Sequence, residues 1–218
     1  MQPPPRVDVV DLFEPLRADL LALLASLTPE QWGAMTVCDP WTVKDLAAHM
    51  LADDLGVVAR KRHGWAGAFF AGDDWNDLVA FIDEQNATWV RAMQRVAPAQ
   101  IVEMLRAAGP PRFDHFRTLD LDAMGGPVNW AGPQPAPVWL DVAREYTEHW
   151  HHGQQIRDAV GAPGRQTAGV YEPRLFAPVL ATFVRALPHT YRDTPAPAGT
   201  HVRVVVDGPA GGAWSLVR

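Results

Sequence analysis

Residues 40–61, PWTVKDLAAHMLADDLGVVARK, carry the clearest helical pattern of the chain together with a start signal for the helix. Thr42 followed three residues later by Asp45 predicts a capping box, which places the first helical residue at Val43. Apolar side chains then recur at the spacing of one helix face, at Leu46, Met50, Val57 and Val58. We therefore predict an amphipathic helix over residues 43–61.

Three further segments carry the same periodicity. Leucines three and four residues apart predict a helix over residues 11–27, and similar patterns predict helices over 73–96 and 138–160. The last of these is closed by Gly161, a typical residue for ending a helix. Four long helices predict a mainly α fold, and their connections indicate a four-helix bundle.

The connections include one short helical piece and one long crossover. Residues 98–108 predict the short piece, and Gly109, Pro110 and Pro111 are expected to end it. Residues 112–137 are rich in glycine and proline and predict an irregular crossover. Arg112, His115, Arg117 and Trp130 in this crossover are candidate walls of a pocket, with a solvated loop as the alternative reading.

The composition changes after Gly161. Residues 173–187 predict a helix, and residues 201–217 predict a β-hairpin with a turn at Asp207–Gly212. Two strands alone are marginally stable in water, so residues 162–218 are expected to form a partial C-terminal α/β domain after a first domain at 1–161.

Charge and composition exclude several classes of protein. The 218 residues are 48% hydrophobic with a formal net charge of −6, which does not fit a protein that binds the phosphate backbone of nucleic acids. No apolar run is long enough to span a membrane, and the N-terminus lacks a signal-peptide pattern, so we expect a cytoplasmic protein. The single cysteine, Cys38, is expected to be a small packed residue and not a nucleophile.

The densest polar cluster lies in the predicted helix over residues 138–160. Glu148 and His152 stand one turn apart, and so do Glu145 and His149, with His151 beside them. Either pair can direct a carboxylate and an imidazole toward one point, and His49 on another helix can supply a third metal ligand. The alternative reading is an ordinary surface pair and a packed histidine.

Two stretches resemble a known family. Residues 40–50, PWTVKDLAAHM, resemble the P-W-[ST]-V-[KR]-D-x-x-x-H-[LM] signature of the DinB-like superfamily, in the branch of mycothiol-dependent maleylpyruvate isomerase-like proteins. Residues 144–161, REYTEHWHHGQQIRDAVG, are similar to the second motif of that branch. The resemblance implies an actinobacterial protein with a DinB-like metal-binding four-helix bundle, and residues 200–218 resemble the start of the family's small α/β domain.

The resemblance also implies a set of metal ligands. The family holds its metal with a histidine on the second helix and a Glu-x-x-x-His on the last, which correspond here to His49, Glu148 and His152. Glu145 and His149 remain the alternative pair. A site with two histidines and one carboxylate suits zinc best, with nickel or iron as further candidates.

The function implied by the resemblance is a divalent-metal-dependent isomerase or S-transferase. Its expected partners are mycothiol and a small electrophilic substrate, in a monomer or homodimer without nucleic acid or membrane. A metal-dependent hydrolase and a non-catalytic metal-binding or ligand-binding bundle are the alternatives. The sequence differs from the better-studied branch of the family at two points. Gln155 stands where that branch has an aspartate, and no residue here matches that branch's C-terminal catalytic arginine.

Overall fold

The computed structural model describes residues 5–65, 67, 70, 72, 74–161 and 171–217. The fold is mainly helical, as predicted. Residue 73, the predicted first residue of the third long helix, and residues 162–170, the start of the predicted C-terminal domain, lie outside the described residues. None of the described helices is both long enough and apolar enough to cross a lipid bilayer.

The helices follow the predicted order along the chain. They are α1 (Phe13–Ser26), α2 (Pro29–Trp32), α3 (Val43–Val57), α4 (Trp75–Met93), α5 (Pro98–Arg117), α6 (Val138–Ala159), α7 (Pro173–Phe183) and α8 (Leu187–Thr190). A 3₁₀ turn over Val10–Leu12 precedes α1, and another over Val184–Ala186 lies between α7 and α8. The helix predicted over residues 43–61 is α-helical only to Val57 and continues as a π-helical turn over Val58–Arg62.

Local signals set several helix ends. Thr42 and Asp45 form the predicted capping box, in which Asp45 Oδ2 accepts from the Thr42 main-chain N–H (3.0 Å). The Asp74 carboxylate caps α4 by accepting from the main-chain N–H groups of Asn76 and Asp77. Gly161 follows α6 with a φ of 70°, the left-handed conformation that glycine adopts without a steric cost.

Within the described residues, four short strands form two antiparallel pairs. β1 (Met124–Pro127) pairs with β2 (Pro135–Pro137), and β3 (His201–Val206) pairs with β4 (Gly212–Val217). The second pair is the predicted hairpin, and its register runs from His201 opposite Val217 to Val206 opposite Gly212. The first pair was not predicted and lies in the segment expected to be irregular.

The described residues fall into two compact units. The bundle unit comprises those within Arg17–Arg117 and His152–Pro163, and the mixed unit comprises those within Met1–Leu16, Thr118–His151 and Gly164–Arg218. Helix α6 contributes residues to both units. The two units are defined by which residues pack together, and they differ from the predicted domains. The domain boundary at residue 161 therefore remains a prediction from the sequence.

The core of the bundle unit brings together residues from its helices. Its fully buried members include Leu24 of α1, Leu46 and Leu51 of α3, Leu105 of α5 and Ile156 of α6. Trp89 of α4 donates from Nε1 to the main-chain oxygen of Ala48 (2.8 Å), which ties α4 to α3. Helix α3 therefore runs through the middle of this unit's apolar interior.

The mixed unit has an aromatic core. Phe13 contacts Tyr146 edge to face at a centroid distance of 5.4 Å, and Trp150 stacks on Phe176 at 4.7 Å. The buried Tyr146 hydroxyl donates to the main-chain oxygen of Leu175 (2.9 Å), and burial raises the pKa of this phenol. The first part of α6 is thus held against α7 by aromatic packing and one buried hydrogen bond.

One prediction about the helices is wrong. Gly109, Pro110 and Pro111 do not end a helix, because α5 continues through them to Arg117. The continuation buries Arg112, Phe113 and Phe116, whose exposed fractions are 0%, 2% and 1%. Burial of two phenylalanines, together with the buried ion pair of Arg112 and Asp54, offsets the cost of two prolines inside the helix, so tertiary packing overrides the local stop signal.

Candidate metal centre

A short folded loop and the start of α3 position the first candidate ligand, His49. Thr36 closes the loop onto Trp41: its main-chain N–H and its hydroxyl each donate to the Trp41 main-chain oxygen, at 3.0 and 2.8 Å. The capping box at Thr42 then fixes the first turn of α3, and Asp45 Oδ1 accepts from Nε2 of Gln94, the residue that follows α4 (2.5 Å). His49 therefore lies one to two turns from an end that is held by several hydrogen bonds.

His49 lies between two aromatic rings of the bundle unit. The Trp41 ring is 5.1 Å away by centroid and tilted by 38°, and the His152 ring is 5.0 Å away and perpendicular. All three side chains are half-buried. The structure thus brings together two of the three residues that the sequence predicts as metal ligands.

His152 has a defined partner on its own helix. Its Nδ1 lies 2.7 Å from Oε1 of Gln155, three residues further along α6. The same Oε1 accepts from the Cys38 thiol, with an Sγ to Oε1 distance of 3.2 Å. Burial raises the pKa of this thiol, which favours the protonated form that donates.

The third predicted ligand, Glu148, lies on α6 one turn before His152 and is half-buried. In an α-helix residues four apart lie on the same face, so Glu148 and His152 share one face of α6. Their partial exposure also leaves both side chains within reach of solvent.

The alternative pair, Glu145 and His149, has a different environment. Glu145 is 1% exposed and its carboxylate accepts from Arg144 Nη2 (2.5 Å). His149 is 5% exposed, packs edge to face on Phe13, and directs Nδ1 at the main-chain oxygen of Glu145 (3.2 Å). Both side chains are packed into the interior of the mixed unit. His151 is exposed and contacts Phe183.

The arrangement of the candidate ligands can be compared with the arrangement that a divalent cation requires. Within the part of the chain that the structure describes, no group of three or more His, Cys, Asp or Glu side chains is arranged to hold a metal ion. The imidazole rings of His49 and His152 are in contact, however. When two imidazoles bind one tetrahedral ion through nitrogens at about 2.0–2.1 Å, the centres of the two rings lie about 5 Å apart. The 5.0 Å between His49 and His152 fits this value, and imidazole is a preferred ligand of zinc, nickel and iron.

The four residues predicted as pocket walls lie in two different elements: three belong to α5 and one to a turn. Arg112 is fully buried in α5, where its Nη1 contacts Asp54 Oδ1 (2.7 Å) and Asp53 Oδ2 (3.2 Å) of α3. His115 and Arg117 follow on the same helix, and Trp130 lies half-buried in the turn after β1. Arg112 is therefore neither a pocket wall nor part of a solvated loop.

Sequence reasoning missed the contacts of Trp41, Cys38 and Gln155. Trp41 was visible as part of the first motif, and Gln155 stands at the i+3 position that can reach a helical histidine. Nothing in the sequence indicated that Cys38, 117 residues before Gln155, contacts the same amide.

Comparisons with known proteins agree with this architecture. The family model described as the mycothiol maleylpyruvate isomerase N-terminal domain matches residues 13–157. Two solved structures of the mycothiol-dependent maleylpyruvate isomerase, one of them a mutant, are similar in fold, with a TM-score of 0.58 for each. Their identities to this chain are 12% for the mutant and 13% for the other, and each match covers 94% of this chain and 77% of the solved one.

A search of curated proteins gave no match. The family match covers more than half of the chain, and the likeness to the two solved structures shows that the chain shares their fold. The chain belongs to the family of the mycothiol maleylpyruvate isomerase N-terminal domain.

Proposed function

We propose that this protein is a divalent-metal-dependent enzyme that uses mycothiol. It either isomerises a small electrophilic substrate or joins the thiol to that substrate as an S-transferase. The observation that carries the proposal is the meeting of His49 and His152, whose ring centres lie 5.0 Å apart. Family membership supports mycothiol as the thiol, because the similar solved structures are of a mycothiol-dependent maleylpyruvate isomerase.

The proposed ligands are His49, Glu148 and His152. The two histidines are supported by their contact, and Glu148 by its place on the same face of α6 as His152. The partial exposure of all three suits a site that a substrate must reach, whereas Glu145 and His149 are occupied in packing. Two histidines and one carboxylate would hold a divalent cation and leave room on it for a substrate group.

If His49, Glu148 and His152 hold a divalent cation, it would lower the pKa of a bound thiol and polarise a carbonyl group. The residues of the chain supply position and shielding. Trp41 packs against His49 and covers it with an apolar surface, while Gln155 holds the Nδ1 side of His152. These contacts restrict the rotation of both imidazoles, which keeps the reacting groups in one geometry.

The two proposed reactions differ in the fate of the thiol. In isomerisation the sulfur adds to one carbon of an activated double bond, the remaining single bond rotates, and the carbon–sulfur bond breaks to return the thiolate. In transfer the carbon–sulfur bond stays and the proton of the thiol ends on the substrate or on the leaving group. Thiol is therefore regenerated in the first reaction and consumed mole for mole in the second.

The test compares metal content and thiol chemistry in four proteins: the wild type, His49→Ala, His152→Ala and the control His151→Ala. We expect elemental analysis to find about one divalent ion per chain in the wild type and the control, and a strong loss in the other two. His151 is a matched control because it precedes His152 on α6 and is exposed. A metal-free wild type after loading with zinc, nickel or iron would refute the metal site.

The metal-loaded protein is then incubated with mycothiol and with maleylpyruvate or other small electrophiles. We expect conversion that requires mycothiol, is lost in the two ligand variants and persists in the control. Free thiol measured at the end distinguishes an isomerase from a transferase. Conversion at the same rate without any thiol would instead indicate a hydrolase, and no conversion with bound metal would indicate a binding protein.

A further inference from the structure

We propose that Gln155 is a positioning residue for His152 and that the Cys38 thiol holds Gln155 in the orientation this requires. The inference rests on the proposed metal site and adds to it a contact from a distant part of the chain. Its basis is one oxygen atom, Oε1 of Gln155, which lies 2.7 Å from His152 Nδ1 and 3.2 Å from Cys38 Sγ.

The first step concerns the proton of His152. An amide oxygen only accepts hydrogen bonds, so the contact requires that Nδ1 of a neutral His152 carries the proton. The other nitrogen, Nε2, then has its lone pair available for a metal ion. Gln155 thereby selects one tautomer and one ring orientation in the protein before any metal binds.

The second step concerns the orientation of the amide. A glutamine side chain can turn by 180° and present Nε2 in place of Oε1, and this would favour the wrong tautomer of His152. The Cys38 thiol opposes that turn, because S–H donates to Oε1 and an oxygen with two lone pairs accepts from both neighbours. A carboxylate at position 155 would need no such second contact, since its two oxygens are equivalent.

The third step concerns how the thiol is held. The Cys38 main-chain N–H donates to Thr36 Oγ1 (3.1 Å), and the Thr36 hydroxyl donates to the Trp41 oxygen (2.8 Å). The loop that places Trp41 against His49 therefore also places the thiol against Gln155. One loop therefore orients both histidines of the proposed site. Its Trp41 contacts His49 directly, and its Cys38 acts on His152 through the Gln155 amide.

The test has two readouts: the tautomer of His152 in the metal-free protein, from imidazole ¹⁵N chemical shifts at a fixed pH, and the affinity for Zn²⁺, by competition with a chelator. We expect the wild type to show the Nδ1–H tautomer. Gln155→Ala should give a mixture of tautomers and about 10–100-fold weaker Zn²⁺ binding. Cys38→Ala should shift both readouts in the same direction, whereas Cys38→Ser, which keeps a donor, should restore them.

Three results would overturn the inference: an Nε2–H tautomer in the wild type, wild-type readouts in Gln155→Ala, or equal effects of Cys38→Ala and Cys38→Ser. If Gln155→Ala fails to fold, the two Cys38 variants decide alone. The tautomer is measured without metal, so it is separate from the proposed function. A wild type with the expected tautomer but no Zn²⁺ binding refutes the metal site and leaves the positioning contact intact.

Discussion

At the scale of single residues, three histidines within four positions of α6 have three different roles. His149 is buried against Phe13, His151 is exposed beside Phe183, and His152 contacts Gln155 and His49. Each step along a helix rotates the side chain by about 100°, so neighbours in sequence point in different directions. Helix periodicity alone could therefore show the density of imidazoles but not which one lies beside His49, and only the family resemblance pointed to His152.

The pH dependence of stability has a contributor in His115 of α5. Burial, followed by the charges of Lys61 and Arg62, lowers the pKa of this half-buried imidazole below its ordinary value of 6.5. Protonation therefore favours the unfolded chain, and the contribution of His115 is fully present above pH 6.5 and is lost as the pH falls through its lower pKa in the folded protein. We expect His115→Gln to reduce the loss of unfolding free energy between pH 7.5 and 5, measured by urea unfolding. An unchanged slope would contradict this assignment.

At the scale of elements, α5 shows why local signals fail where packing is strong. The carbonyl of Pro111 accepts from Arg62 Nη1 (3.1 Å), and Arg112 beyond it is fully buried against Asp54. Arg17 of α1 joins the same carboxylate, with Nη1 2.7 Å from Asp54 Oδ2. Three helices of the bundle unit therefore share one buried group of charges, and this group needs α5 to continue past its prolines.

The buried carboxylate of Asp54 supports a prediction about stability. Asp54→Asn leaves Arg17 and Arg112 buried without their shared anion, so we expect it to lower the free energy of unfolding by about 3–5 kcal/mol. Asp53→Asn is the matched control: Asp53 is adjacent, 28% exposed and 3.2 Å from Arg112, compared with 2.7 Å for the fully buried Asp54, and its loss should cost about 1 kcal/mol or less. Urea unfolding of both variants measures the difference, and equal losses would show that Asp54 is not the centre of the group.

The elements also show how far the sequence could predict the fold. The capping box at Thr42 and the stop at Gly161 depend on neighbouring residues only, and the structure has both. The second half of α5 depends on contacts with distant residues such as Asp54, which the periodicity of the sequence does not encode. The β1–β2 pair is local, but its glycine- and proline-rich strands carry no alternating pattern that would predict it. For the site, helix spacing leaves both Glu–His pairs of α6 open, the family resemblance favours His152, and neither indicates the contact from Cys38.

At the scale of the whole molecule, the family match and the packing place both candidate histidines in one compact unit. The matched residues 13–157 include His49 and His152, and both histidines belong to the bundle unit. At 12–13% identity the likeness to the solved isomerases shows the fold and leaves the chemistry to be established on this chain's own residues. A ligand that binds both histidines bridges α3 and α6, and it should therefore stabilise the folded bundle unit as a whole.

This bridging makes thermal unfolding a measure of the proposed site. A metal that binds only the folded protein, at a free concentration 100 times its dissociation constant, stabilises it by about 2.7 kcal/mol. For a chain of this size we expect the midpoint of unfolding to rise by about 5–10 °C on addition of Zn²⁺ and to fall again with excess chelator. The His49→Ala/His152→Ala double variant should lose this shift, while His151→Ala should retain it. A shift of equal size in the double variant would place the bound ion elsewhere, and no shift in the wild type would mean that His49 and His152 meet only to pack.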